Sequence, residues 1–196
     1  VIDASGHNNF RTLLDEDKVQ LGILSEFLPA RTPSHFDLAY NIWQLVRMFP
    51  GLRIVTVMRD QSGAFHKIPV KATEAQRNLY VVLVGGVLYT VEPLVLPQGG
   101  RDSPAAHGGW NWIAMHPFHS TDLSPEGDET LYGNIMALMT GFCDDWVLLI
   151  PDVADLVARS TELAGKLIVD HFGEHGYNEE KNGPPSCTNR VWGLEV

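Results

Sequence analysis

The sequence predicts an α+β fold, a mostly antiparallel sheet with a hairpin at 79–91, flanked by three to four helices. Three observations carry this expectation. Apolar residues recur at helical spacing in segments toward both ends of the chain. Segments rich in β-branched and aromatic residues fill the middle. Gly85-Gly86 separates two of those segments, and paired glycines suit a two-residue hairpin turn because both accept positive φ. Helices that bracket a block of strands are the α+β pattern.

Residues 1–14 are polar and read as an irregular arm. Asp15 to Leu28 carries Val19, Leu21, Leu24 and Leu28 at mixed helical spacing, with Asp15, Glu16 and Asp17 at the positive end of the helix dipole. Arg31-Thr32-Pro33 breaks the chain. Ser34 then reads as an N-cap with Asp37 three residues on, a capping-box variant. Ala39, Ile42, Trp43, Val46 and Phe49 form one stripe, which Pro50-Gly51 ends. Strands are expected over 53–58, 64–70, 79–84 and 87–91. A Pro- and Gly-rich loop follows over 97–109, and Trp110 to Met115 reads as another strand. Leu131, Ile135, Leu138 and Phe142 repeat at helical spacing, and Trp146 to Ile150 is a short apolar strand ending at Pro151. Asp152 reads as the N-cap of a last helix with Val153, Leu156, Val157, Leu163, Ala164, Leu167 and Ile168 on one stripe, stopped by Gly173 and Gly176. The expected organisation is one α+β domain over 1–176. A tail over 177–196 is expected to dock on that domain or on a partner through its late tryptophan, Trp192.

Composition excludes several classes. The 196 residues carry 14 Lys+Arg against 24 Asp+Glu, a net charge of −10, which opposes sequence-independent binding of nucleic acid. The apolar run from Tyr80 to Leu96 is interrupted by Gly85-Gly86, Thr90, Glu92 and Pro93, and it is shorter than the ~20 residues of a membrane helix, so no membrane contact is expected. No basic stretch followed by an apolar one marks a secretory leader, and a location in the cytoplasm or in a virion is expected. A start at Val1 rather than methionine is what a piece of a longer product would show. Two cysteines, Cys143 and Cys187, are too few for a disulfide scaffold or a Cys-rich zinc module.

Charge is unevenly placed. Residues 31–77 hold seven bases and three acids, whereas 78–158 hold Arg101 alone against ten acids. Opposed windows of this kind can steer copies together. They make Arg47, Arg53 and Arg59 on one side, and Asp144 and Asp145 on the other, the candidate interface residues. Solvated charge that does nothing of the sort is the simpler account.

The sharpest motif is His171-Phe172-Gly173-Glu174-His175, an inverted zincin pattern H-x-x-E-H. Two imidazoles one helical turn apart can share zinc, and Glu174 can take a proton from the metal-bound water. Against it, Gly173 reads as a helix stop and His171 follows Ile168 on the apolar stripe. A second cluster, His107, His116, His119 and Asp122, has transition-metal ligand types, but Pro117 interrupts the regular helix that would aim them. Cys143 has nucleophile chemistry, yet Asp144-Asp145 beside it would suppress the thiolate. The chain has no G-x-S-x-G elbow, no P-loop and no G-x-G-x-x-G.

By elimination the sequence reads as a non-catalytic structural or interaction subunit of a larger assembly, a viral capsid or virion-surface component being the first example. Its partners are then copies of itself or the particle's other subunits, with no cofactor. The alternatives are a zinc-dependent hydrolase built on His171, Glu174 and His175, or on His116 and His119, and an acidic adaptor for a basic protein.

Overall fold

The structure is a computed structural model that describes residues 33–75, 79–98, 103–121, 123, 137–153 and 155–196. The fold is α+β, with helices and antiparallel sheets. The expected arm at 1–14 and helix at 15–28 lie outside the described residues, as do Leu131, Ile135 and Asp122. The described residues fall into two compact units, one within Gly63–His107 and the other within Arg31–Ser62 and Gly108–Val196.

The larger unit is built around one strand. β1 (Ile54–Asp60), β4 (Leu138–Phe142) and β5 (Asp145–Pro151) form an antiparallel sheet in the order β1-β5-β4. Trp146 to Ile150 is fully buried, an unbroken apolar run of the kind required when both faces of a strand are covered. Trp146, Leu148 and Ile150 face one core with Val55, Val57 and Met139. That face is covered by α3 (Ser103–Ser120), through Ala114, Met115 and Phe118, and by α4 (Leu156–Phe172). Val147 and Leu149 face the other core, under Leu38 and Leu45 of α1 (His35–Met48) and Val191 of a short C-terminal hairpin, β6 (Arg190–Val191) and β7 (Leu194–Glu195).

Local signals explain the helix ends. Ser34 and Asp37 make the full capping box at the start of α1. The stripe that α1 buries is Leu38, Ile42, Leu45 and Phe49, so Ala39, Trp43 and Val46 of the expected stripe are exposed. α1 has two apolar faces, and periodicity alone does not say which one meets the sheet. Gly173 (φ 80°) ends α4 as expected, but α4 begins after Asp155 rather than Asp152, whose carboxylate is engaged by Arg53.

Three further expectations are corrected. Residues 64–70 form a 3-10 turn over Ala64–Lys67 rather than a strand, after Gly63 turns the chain at φ 61°. Leu138–Phe142 is a strand rather than the end of a helix, because pairing with β5 buries Met139. Ser103–Ser120 is a helix where a loop and a strand were expected. Its stripe of Asn111, Ala114, Met115 and Phe118 is buried, and burial outweighs the helix cost of Gly108, Gly109 and Pro117. Pro117 lies near the C-terminal end, where the Ser120 and Thr121 hydroxyls donate to the carbonyls of His116 and Pro117 and satisfy terminal acceptors.

In the smaller unit, β2 (Tyr80–Val84) and β3 (Val87–Val91) form the expected hairpin, with Gly85 and Gly86 at φ 57° and 82°. Segments 68–70 and 94–96 exchange backbone hydrogen bonds, and His107 is buried with its ring 4.8 Å from that of Phe65.

Because Trp146 fills the first core at full burial, Trp146→Ala is expected to cost about 3–5 kcal/mol of stability, read as a lowered denaturant midpoint with an unchanged slope. A variant within 1 kcal/mol of the parent would show that the core is not organised around this ring.

Candidate functional site

The inverted zincin motif is not assembled. His171 sits in the last turn of α4 with Nδ1 2.9 Å from the Leu167 carbonyl oxygen. Gly173 then turns the chain into a separate 3-10 turn over Glu174–Gly176, which leaves Glu174 and His175 exposed and off the helix that carries His171. His116 and His119 do share α3, but each ring is engaged. His116 stacks on Trp112 with centroids 5.7 Å apart, and His119 accepts the Met139 N–H at Nε2, 3.1 Å away. Burial holds the His119 imidazolium below its usual range. Among the described residues, no group of three or more His, Cys, Asp or Glu is placed to hold a metal ion.

Cys143 and its acidic neighbours form the tight β4–β5 turn. Cys143 adopts a left-handed φ of 51°, unusual for a residue with a Cβ, and the surroundings hold it there. Asn111 Nδ2 donates to the Cys143 carbonyl at 2.7 Å, Gln61 Nε2 donates to Asn111 Oδ1 at 2.9 Å, and the Gln61 N–H donates to the Asp144 carbonyl at 2.8 Å. Burial, with Asp144 and Asp145, pushes the Cys143 thiol up, which disfavours the thiolate that nucleophilic chemistry requires. At the same end of the sheet Asp60 and Asp145 stand directly opposite in register, and Lys181 Nζ reaches Asp60 Oδ1 at 3.1 Å.

The charged candidates do not share one kind of surface. Arg59 is buried, with Nη1 donating to the Met58 carbonyl at 2.8 Å, so it takes no part in an open charged face. Arg53 is paired with Asp152 within the chain. Arg47 is exposed and lies over the Trp43 ring, 4.9 Å from its centroid. Asp145 is half-buried beside Asp144.

Exposed apolar surface is the outstanding feature. In the hairpin, successive side chains alternate between two faces. On one face Tyr80 is buried and Val82 half-buried, anchoring the base of the ribbon. On the other, Val81, Leu83 and Leu88 are 66%, 67% and 69% exposed. Independently, α1 presents Phe36, Tyr40 and Trp43 to solvent, with Tyr40 and Trp43 stacked at 5.7 Å, and α3 presents Trp112 and Ile113. The Gly85-Gly86 turn marks the hairpin in the sequence but not its exposure. The available signal was the missing alternation of apolar and polar residues, since a ribbon with one solvated face should show that period.

No protein-family model and no curated protein sequence matches the chain. Among the described residues no helix is long and apolar enough to cross a membrane.

Burial first, then Asp144 and Asp60, raise the Asp145 carboxyl above its usual range, while Lys181 pulls the other way. The native state therefore holds this proton more tightly than the unfolded chain, and Asp145's contribution to stability falls as pH rises from the unfolded value to the raised native one. Asp145→Asn is expected to raise the denaturant midpoint at neutral pH and to reduce the difference between neutral and mildly acidic pH. A lower midpoint at neutral pH would show that the ionised carboxylate is favourably held.

Proposed function

We propose that the chain is a non-catalytic subunit that associates with copies of itself, within an assembly of which a virion shell or surface is one example. The observation that carries this reading is the exposed hairpin face of Val81, Leu83 and Leu88. Contiguous apolar patches beyond a few hundred Å² are uncommon on soluble monomers and mark interaction sites. The separation of Glu174 and His175 from the helix of His171 and the raised Cys143 thiol support a non-catalytic role.

Salt distinguishes apolar association from charge steering. Copies that each carry −10 repel at long range, so added salt should strengthen an association driven by apolar surface and weaken one driven by complementary charge. Light scattering on the purified chain, with elemental analysis of the same peak, is expected to give a mass above the 21.7 kDa monomer that grows with protein concentration and with salt, without stoichiometric zinc. A monomer at every concentration, or one zinc per chain with hydrolase activity, overturns the reading.

A further inference from the structure

The geometry points to β3 as the surface through which two copies of this chain pair, strand to strand across a two-fold axis centred on Tyr89. The inference rests on the reading of the chain as a self-associating subunit and assigns the surface and its partner. Three observations lead to it.

First, both edges of the three-stranded sheet are guarded. Along β1, the Thr56 N–H donates to the Ser186 carbonyl at 2.8 Å, the Ser186 N–H returns the bond at 3.1 Å, and Asn189 Nδ2 donates to the Thr56 carbonyl at 2.8 Å. Further along, the Asn178 N–H donates to the Asp60 carbonyl at 3.1 Å. On β4, His119 takes the Met139 N–H. The hairpin has no such device among the described residues. Among the described residues its sheet stops at two strands, and residues 79–91 contain no charged residue, no proline and no bulge in the register. Charge, proline, bulges and covering segments are the means by which edges are kept from pairing.

Second, the outward backbone groups are fixed by the turn. In a two-residue hairpin the pair flanking the turn, Val84 and Val87, is hydrogen-bonded, and so therefore are Val82 with Tyr89 and Tyr80 with Val91. Leu88 and Thr90 then direct N–H and C=O away from β2. Antiparallel pairing of β3 with its copy places Leu88 opposite the second copy's Thr90, and the reverse, which forms four backbone hydrogen bonds. Tyr89 meets Tyr89 at the axis as a non-hydrogen-bonded pair, with Cα atoms about 4.5 Å apart. Every residue of β3 is exposed, so nothing among the described residues needs to move aside.

Third, a two-stranded ribbon is marginal in water, whereas a four-stranded sheet is not. Val87, Leu88, Tyr89 and Val91 of β3 are all exposed, so their side chains would gain cross-strand neighbours in the paired sheet. The segment's lack of charge makes it compatible with itself at any salt concentration and unselective for a charged partner.

Two variants of the full chain test the pairing. Thr90→Pro removes an N–H that β2 does not use, so the hairpin should persist while two of the four inter-copy bonds are lost. Sedimentation is expected to show association weakened at least about tenfold with an unchanged far-ultraviolet spectrum. In a Cys187→Ser background, Tyr89→Cys oxidised with diamide should give a covalent dimer, because cysteines paired at the axis fall within disulfide reach, whereas Val81→Cys on β2 should not. The cross-link decides the matter if the proline variant misfolds. Undiminished association of a folded Thr90→Pro, or a failure of Tyr89→Cys to cross-link, overturns β3 as the surface. Self-association of the parent would stand in that case, on another face. A parent that is monomeric overturns both.

Discussion

The double burial of β5 is the constraint on which the larger unit depends. Five consecutive residues, Trp146 to Ile150, expose nothing, and each fully buried apolar side chain is worth roughly 1.5–3 kcal/mol. Neither face of such a strand can be left to water, so one layer of helix does not suffice. α3 and α4 cover the face of Trp146, Leu148 and Ile150. α1 alone does not close the face of Val147 and Leu149, and the chain returns at its end to add Val191 there, with Trp192 packed alongside. Trp192 holds a left-handed φ of 49°, with its carbonyl 3.0 Å from His35 Nε2 and its ring against Phe142. The C-terminal segment is thus part of the core of this unit.

The polar features of the unit follow from the same constraint. A strand buried on both faces must still begin and end, and at its start the β4–β5 turn forces Cys143 into left-handed backbone beside two aspartates. Gln61 and Asn111, both buried, spend their amides on that turn, and Lys181 comes from the C-terminal segment to face Asp60. Strained backbone and raised carboxyl and thiol groups often mark catalytic sites. Here the same features accompany the tight turn from β4 into the buried strand β5, and the raised thiol disfavours the thiolate that Cys143 would need as a nucleophile.

What was legible in the sequence follows from how local each signal is. The capping box at Ser34, the Gly85-Gly86 turn, the β5 run and the Gly173 stop are specified by a few adjacent residues, and all are present. α3 was hidden because Gly108, Gly109 and Pro117 speak against a helix residue by residue, while the stripe of Asn111, Ala114, Met115 and Phe118 becomes decisive only when a sheet is there to receive it. The buried face of α1 was ambiguous for the same reason, as two apolar stripes compete and the partner strand is about a hundred residues away. The H-x-x-E-H spacing was legible as a motif but not as a site. One residue, Gly173, ends the helix inside it, and a four-residue spacing sets two imidazoles side by side only where the helix runs through both.

The contrast between guarded and unguarded edges follows from these packing demands. β1 and β4 belong to a sheet whose faces are both filled, and a further strand would compete at the β1 edge with the C-terminal segment that completes the second core and at the β4 edge with His119. Covering those edges protects the fold itself. The β2–β3 ribbon has no filled face away from its base, and adding strands to it displaces no internal contact among the described residues. The same backbone chemistry is therefore a hazard at one sheet and an opportunity at the other. A net charge of −10 sets the balance between copies, since repulsion acts over about a Debye length of roughly 8 Å at physiological salt, whereas strand pairing acts only at hydrogen-bond distance. On the proposed pairing, copies with that charge are held apart in random encounters and gain where an uncharged edge lets backbones meet. The hairpin, free of charge from Leu79 to Val91, supplies such an edge.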